Sequence, residues 1–293
     1  MSSADLLHGN KVVEGDAREV LRDLPDSCLD CTITSPPYFG LREYTGDERE
    51  IGLEETLPEY IQNLCDVFNL VGQKTKITGS LWVNLGETYK DGQALTVTWQ
   101  FMMQMVHVHG WILKNVVVWA KPDAMSESVN NRFSQKWEPF FWFTKRNAGY
   151  YFNEDAAKIP VKASTVQRME HKFYANKGTD VSRMRGMLGD QSEKVDQYLE
   201  RGVNAGDFWV IPTNKERVQH AAPYPVELVV RPIVATCPEK GYLFDPFAGS
   251  GTTGVGAARV GGGRNFLGTD INALSVAEAN ERIARDALQG ELF

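Results

Sequence analysis

The chain has 293 residues, 42% of them hydrophobic and 11% aromatic, which is enough for a sizeable core and excludes a disordered class. Its apolar runs, such as residues 116–120, are far too short to cross a bilayer, and its first eight residues lack the basic start and apolar stretch of a signal peptide. The expectation is therefore a soluble cytoplasmic protein with no membrane partner. The net charge of −7 counts against a nucleic-acid partner only if charge is evenly spread.

In chain order, residues 12–16 read as a strand ending in a turn, followed by a helix over 17–24. Residues 29–34 form a second strand, which Pro36 and Pro37 stop abruptly. Apolar residues at helical spacing (Ile61, Leu64, Cys65, Phe68, Val71) predict a helix over 58–71. A strand over 80–84, a helix over 98–109, a strand over 115–120 and an aromatic strand over 139–144 follow. From Gly149 to Gly206 the pattern loosens, and order returns at 207–211. Residues 225–235 predict a helix and 241–245 a strand. A glycine-rich turn then leads into a helix over 252–260, a strand over 265–270 and a last helix over 274–288. Strands alternating with helices imply an α/β fold with a doubly wound, mostly parallel sheet.

Cysteine and histidine spacing does not argue for a metal. Cys28 and Cys31 form a CxxC with no second pair at zinc spacing, so reduced, partly buried thiols are expected, and no metal site. His107 and His109 are read as a buried helix end. The loosened segment is more informative. Between Ala156 and Gly189 the basic residues are Lys158, Lys162, Arg168, Lys172, Lys177, Arg183 and Arg185, against Glu170 and Asp180, a local net charge of +5.

Two segments carry chemistry. The first runs Asp245-Pro246-Phe247-Ala248-Gly249-Ser250-Gly251-Thr252-Thr253-Gly254, between a strand and a helix. Glycines there let the backbone approach a ligand closely, and a helix N-terminus offers N–H groups to a carboxylate or phosphate. Nineteen residues past Gly251, Asp270 ends the next strand, where a carboxylate can accept from both ribose hydroxyls. The spacing also fits the dinucleotide fingerprint. However, a motif starting near residue 245 leaves too little chain for the second half of that fold. No lysine follows the last glycine, so it is not a phosphate-binding P-loop. The second segment is Ser35-Pro36-Pro37-Tyr38, again at a strand's C-terminal end, where ligand sites of open α/β sheets lie. Two prolines stiffen the turn and leave carbonyls as acceptors for an amino group, and Tyr38 supplies an aromatic face for a flat base.

Together these segments resemble the catalytic and cofactor motifs of the amino-methylating DNA methyltransferases. With the catalytic motif first and the cofactor motif last, the order is similar to the family's beta class, whose target-recognition segment lies between them. The resemblance spans Val12 to Ile283 apart from the insertion. It implies a Rossmann-like fold of the S-adenosylmethionine-dependent type. Residues 1–149 would be a catalytic half, 150–206 an inserted target-recognition region and 207–293 a cofactor-binding half. It also implies S-adenosyl-L-methionine as cofactor and double-stranded DNA as substrate, with direct transfer to an exocyclic amine of a flipped base.

The resemblance assigns Ser35, Pro36, Pro37 and Tyr38 to catalysis. Asp16, Ala17, Asp245, Phe247, Ala248, Gly249, Ser250, Gly251, Thr252, Thr253, Asp270 and Ile271 go to the cofactor, with Asp16 accepting from the adenine amino group. Trp119 to Pro122 and Arg132 to Lys145 would line the base pocket, although strand cores use the same aromatics. Residues 220–228 would pack on the methionine end. Asp270 stands where the family often has Glu. No Pro-Cys dipeptide of the covalent C5-cytosine enzymes is present. Serine at the first motif position leans towards cytosine N4, since adenine enzymes of the family more often carry Asp or Asn there; adenine N6 stays open. A protein-glutamine methyltransferase would have Asn first and the reverse motif order, and an RNA substrate or an inactive DNA-binding relative are further alternatives. A restriction-modification role with a cognate endonuclease is an expectation; monomer or homodimer is left open.

Overall fold

The computed structural model describes residues 3–41, 46, 47, 49–161, 200–213 and 223–288. The chain divides into two units, residues 1–153 with 207–293, and residues 154–206. The first unit begins α1 (Ser3–Leu7), β1 (Asn10–Glu14), α2 (Ala17–Asp23), β2 (Leu29–Thr34), α3 (Leu57–Lys74) and β3 (Thr75–Asn84). A short hairpin of β4 (Tyr89–Lys90) and β5 (Gln93–Ala94) leads to α4 (Val97–His107), β6 (Ile112–Ala120) and β7 (Trp137–Thr144). The second unit holds β8 (Lys158–Ile159) paired antiparallel with β9 (Val203–Asn204). The first unit resumes with β10 (Phe208–Val210), α5 (Val226–Thr236), β11 (Tyr242–Asp245), α6 (Thr252–Val260), β12 (Asn265–Asp270) and α7 (Ala273–Leu288).

One eight-stranded sheet orders these strands β1-β12-β11-β2-β3-β7-β6-β10. Every pairing is parallel except those of β7, which runs against both β3 and β6. The central strands of the sheet are buried on both faces. Residues of α2, α3 and α4 pack on one face with Phe141, Phe143 and Phe244; residues of α5, α6 and α7 pack on the other with Ile33, Trp82, Phe140 and Trp142. A strand between two helical layers has no solvated side, and all six residues of β2 are accordingly buried. Its one charge, Asp30, pairs with Lys76 at 2.7 Å and accepts from the Tyr242 N–H at 2.9 Å.

The aromatic strands form a stack. The Trp82 and Trp142 rings lie 5.2 Å apart and 2° from parallel, with Phe140 and Trp209 against Trp82. Their indole N–H groups are satisfied within the protein, Trp82 donating to Thr236 Oγ1 and Trp142 to Ser80 Oγ. Tyr150 and Phe152 pack on Trp142 within the same unit.

Most boundaries fall within three residues of the sequence expectation. The exceptions have local causes. Thr56 and Glu59 close a capping box at the start of α3, while the backbone turns extended at Thr75, whose N–H donates to the Val71 carbonyl. β3 starts at Thr75 rather than at residue 80, because its first residues pair with the start of β2 across a register shift. α4 ends at His107, and its buried positions Val97, Thr98, Phe101 and Met105 leave His107 on the outer side. It is exposed, not a buried helix end, and His109 is half-buried just beyond. Cys28 and Cys31 are free thiols; Cys31 is buried with its sulfur 3.4 Å from Thr236 Oγ1. Among the described residues, no group of three His, Cys, Asp or Glu could hold a metal, and no helix is long and apolar enough to cross a membrane.

In the second unit, Lys158 pairs with Asp155 at 2.7 Å, so this member of the basic segment is neutralised locally. Lys162, Arg168, Lys172, Lys177, Arg183 and Arg185 lie outside the described residues, as do residues 220–222 of the segment before β11.

Candidate active site

The winding of the sheet reverses between β11 and β2. After β11 the chain crosses through α6 to β12; after β2 it crosses through α3 to β3, on the opposite face. The two loops leave in opposite directions and open a crevice at the C-terminal strand ends. A cavity of about 350 Å³ lies there. Asp16, Ala17, Ser35, Pro36, Pro37, Tyr38, Phe247, Ala248, Gly249, Ser250, Thr252, Asp270 and Ile271 line it. Asp245, Gly251 and Thr253 stand behind its wall, where they shape the glycine turn.

That turn is held from three directions. Gly251 has φ +79° and sits at the N-cap of α6, where a β-carbon would come within 2.8 Å of Ala279 on α7. The buried Arg282 of α7 donates to the Ser250 carbonyl and hydroxyl. The Gly249 N–H donates to Asp270 Oδ2 at 2.9 Å, while Oδ1 accepts from Asn272 N–H. This N–H thus ties the turn to β12. The first turn of α6, whose Thr252 lines the cavity, has backbone N–H groups without intrahelical partners. No side chain caps that helix, and the buried hydroxyl of Thr252 has no hydrogen-bond partner among the described residues. An uncapped helix start carries partial positive charge and suits an anionic group.

Asp245 is fully buried. Its Oδ2 accepts from Thr253 Oγ1 at 2.7 Å and from the Tyr224 hydroxyl at 3.2 Å, and its Oδ1 from the Phe247 N–H at 3.0 Å. Burial pushes its carboxyl up to about 6, with hydrogen bonds from Thr253, Phe247 and Tyr224 opposing that rise. Asp16 caps α2 and is clasped by Arg18, whose Nη2 lies 2.5 Å from Oδ2. Burial raises its carboxyl, but hydrogen bonds from the Arg18 side chain and backbone outweigh that and hold it below the usual carboxylate range. An ionised Asp16 is an acceptor only, which suits an amino donor.

On the other side, Ser35 Oγ lies 3.4 Å from both the Tyr38 hydroxyl and Asn84 Oδ1. The Tyr38 ring lies on Gly86, where any β-carbon would collide with it. Its hydroxyl reaches Glu138 Oε2 at 3.0 Å and Asn84 Oδ1 at 3.2 Å. Lys121 Nζ stands 2.5 Å from Glu138 Oε1. Burial, and then the neighbouring Glu138, push the Tyr38 phenol well above its usual range, so it stays protonated. The expectation that both proline carbonyls stay unpaired holds for one of them. Pro37 accepts from the Tyr60 hydroxyl at 2.8 Å, and no described residue donates to Pro36.

Several residues of the site are not singled out by the sequence. Asn84, Lys121, Glu138 and Tyr224 all line the cavity. In the sequence each falls inside a longer segment that gives it no role of its own. A usable signal exists for Glu138, a lone charge in an otherwise aromatic strand. Arg49 and Glu50 also line the cavity and carry no such signal. Trp119 lines it too, whereas Trp82 and Trp142 belong to the core.

A sequence model described as DNA methylase matches residues 29–281. The Type II methyltransferase M.XycI of Xanthomonas campestris pv. cyanopsidis is 29% identical over 316 residues, covering 98% of this chain and 90% of the relative. The Type II methyltransferase M.SmaI of Serratia marcescens is 28% identical, covering 95% and 92%. Among solved structures, the cytosine-N4-specific PvuII DNA methyltransferase shares the fold with a TM-score of 0.68 at 19% identity, covering 96% of this chain and 92% of that one. A putative DNA modification methylase from Thermus thermophilus, complexed with S-adenosyl-L-methionine, does so with a TM-score of 0.58 at 21% identity, covering 95% and 96%.

Proposed function

This chain belongs to the DNA methylase family of N6 and N4 amino-methyltransferases, and from that premise we propose that it methylates the N4 of a flipped-out cytosine in double-stranded DNA. One observation carries the reading: the Ser35–Tyr38 turn and the glycine turn open into one cavity because β2 and β11 are neighbours. The methyl donor is S-adenosylmethionine, which supplies an electrophilic sulfonium methyl when bound. The cavity suits it. Asp16 and Asp270 offer acceptors to amino and hydroxyl donors, and the uncapped start of α6, with the unpartnered Thr252 hydroxyl, suits the carboxylate of an amino-acid tail.

The protein's task is positioning. An exocyclic amine shares its lone pair with the ring and is a poor nucleophile. Ser35 Oγ and the Pro36 carbonyl can each accept one of its hydrogens, while the Tyr38 ring stacks on the base. Holding both hydrogens fixes the nitrogen for attack and stabilises charge as it develops. The base must leave the duplex, at a cost of a few kcal/mol, roughly. Basic residues of the segment 149–206, with Lys136, would offset that through phosphate contacts. Lys145 and Arg146 do not join them, since Lys145 Nζ donates to the Gly72 and Thr75 carbonyls at the far end of β3 from the cavity. Serine at position 35 supports cytosine over adenine. The Type II names of the relatives support a restriction-modification setting with a cognate endonuclease.

The test is to methylate random-sequence duplex DNA, digest it to nucleosides and weigh them, with chromatography separating the N4- from the 5-methyl isomer. We expect N4-methyldeoxycytidine. N6-methyldeoxyadenosine alone would overturn the choice of base, and no methylated nucleoside would overturn the activity.

A further inference from the structure

Two acceptors stand behind the Ser35–Tyr38 turn, and sheet register puts them there. Glu138 sits opposite Trp119, two residues before Lys121, and Asn84 opposite Phe140. The Asn84 amide is oriented, since its Nδ2 donates to the Pro139 carbonyl at 3.2 Å and leaves Oδ1 facing Ser35 Oγ and the Tyr38 hydroxyl. Glu138 is oriented in turn, with Lys121 on Oε1 and the phenol on Oε2. All five side chains border the cavity.

A carboxylate and an amide oxygen accept hydrogens and have none to give, whereas each hydroxyl has a single hydrogen. The phenol's hydrogen goes to Glu138, 3.0 Å away. The serine's hydrogen goes to Asn84 Oδ1 or to the phenol oxygen, both at 3.4 Å. Those serine contacts are long, as catalytic hydrogen bonds often are before substrate tightens them. What Ser35 then turns to the cavity is lone pairs. We infer that Glu138, seated by Lys121, and Asn84 are positioning residues that hold Ser35 as an acceptor, so that the site takes a base edge that gives a hydrogen and rejects one that offers a carbonyl. This rests on the amino-methylating reading above. A phenol that burial keeps protonated is consistent with the chain running from Ser35 through Tyr38 to Glu138.

A double-mutant cycle tests it, reading the single-turnover transfer rate at saturating DNA and S-adenosylmethionine, with cofactor Kd by calorimetry and melting temperature alongside. Glu138→Gln keeps the shape. Its oxygen must turn to Lys121, so its NH2 faces the phenol, and the phenol's hydrogen must then compete with that of Ser35 for Asn84. We expect about a tenfold rate loss with cofactor Kd within about twofold of the parent. In a Tyr38→Phe background, where the phenol no longer links Glu138 to Ser35, the same substitution should cost less than about twofold. Glu138→Gln at the parental rate would overturn the inference. So would a tenfold loss that persists in the Tyr38→Phe background, since that is what a purely structural role gives. If Glu138→Gln does not fold, Asn84→Ala decides: about tenfold slower transfer with unchanged cofactor Kd supports the inference, and an unchanged rate overturns it. Parental protein that transfers no methyl to DNA would instead overturn the function on which the inference rests.

Discussion

At the scale of single residues, the acidic groups of the site titrate in opposite directions. Asp245 has its carboxyl pushed up to about 6, against an ordinary value of 3.8. Between those values the folded state binds the proton that the unfolded state has already lost, so its contribution to stability falls as pH rises and is recovered as pH drops. From pH 7 to pH 5 this gains about 1 kcal/mol, or about 2–4 °C in Tm. Asp245→Asn should remove that rise, which melting curves of both proteins at the two pH values will show; equal pH dependence would refute the assignment. Asp16 works the other way, since a lowered carboxyl contributes stability that is lost only as pH falls below the ordinary carboxylate value. On sequence the two aspartates look alike, each at or just beyond a strand end. Their partners separate them: Arg18, two residues away, clasps Asp16, whereas the hydroxyls around Asp245 come from Tyr224 and Thr253.

At the scale of elements, the glycine turn works only because α6 and α7 pack closely. A side chain at Gly251 must adopt φ +79° and press within 2.8 Å of Ala279. Gly251→Ala should therefore destabilise by about 1–3 kcal/mol, from left-handed strain and overpacking together. It should also weaken S-adenosylmethionine binding by displacing the Ser250 carbonyl and the first turn of α6. Denaturant melts and calorimetry measure both, and an unchanged cofactor Kd would show that the turn tolerates the shift. The turn and its helix are legible in the sequence, because Gly, Pro and a change of apolar period mark a strand-to-helix junction locally. The Arg282 brace is not, since it comes from 32 residues away with no local pattern.

At the scale of the whole molecule, an acidic chain is proposed to hold DNA through a locally basic segment. Replacing Lys162, Arg168 and Lys172 with Gln should weaken DNA binding. It should also reduce the slope of log K against log salt by about 2–3, one for each phosphate no longer neutralised, with cofactor Kd unchanged. An unaltered slope would remove these residues from the interface. Sequence alone determined the alternation of elements, both strand-end turns and their order along the chain. These depend on residues adjacent in the chain: periodicity, turn formers and helix starts. The tertiary structure decided which turns face one another. The reversal between β11 and β2 brings residues more than 200 apart to one cavity, and the antiparallel β7 lays Glu138 beside Tyr38. It also decided which acceptors are already taken, as at Pro37, because a partner such as the Tyr60 hydroxyl on α3 is set by packing rather than by spacing.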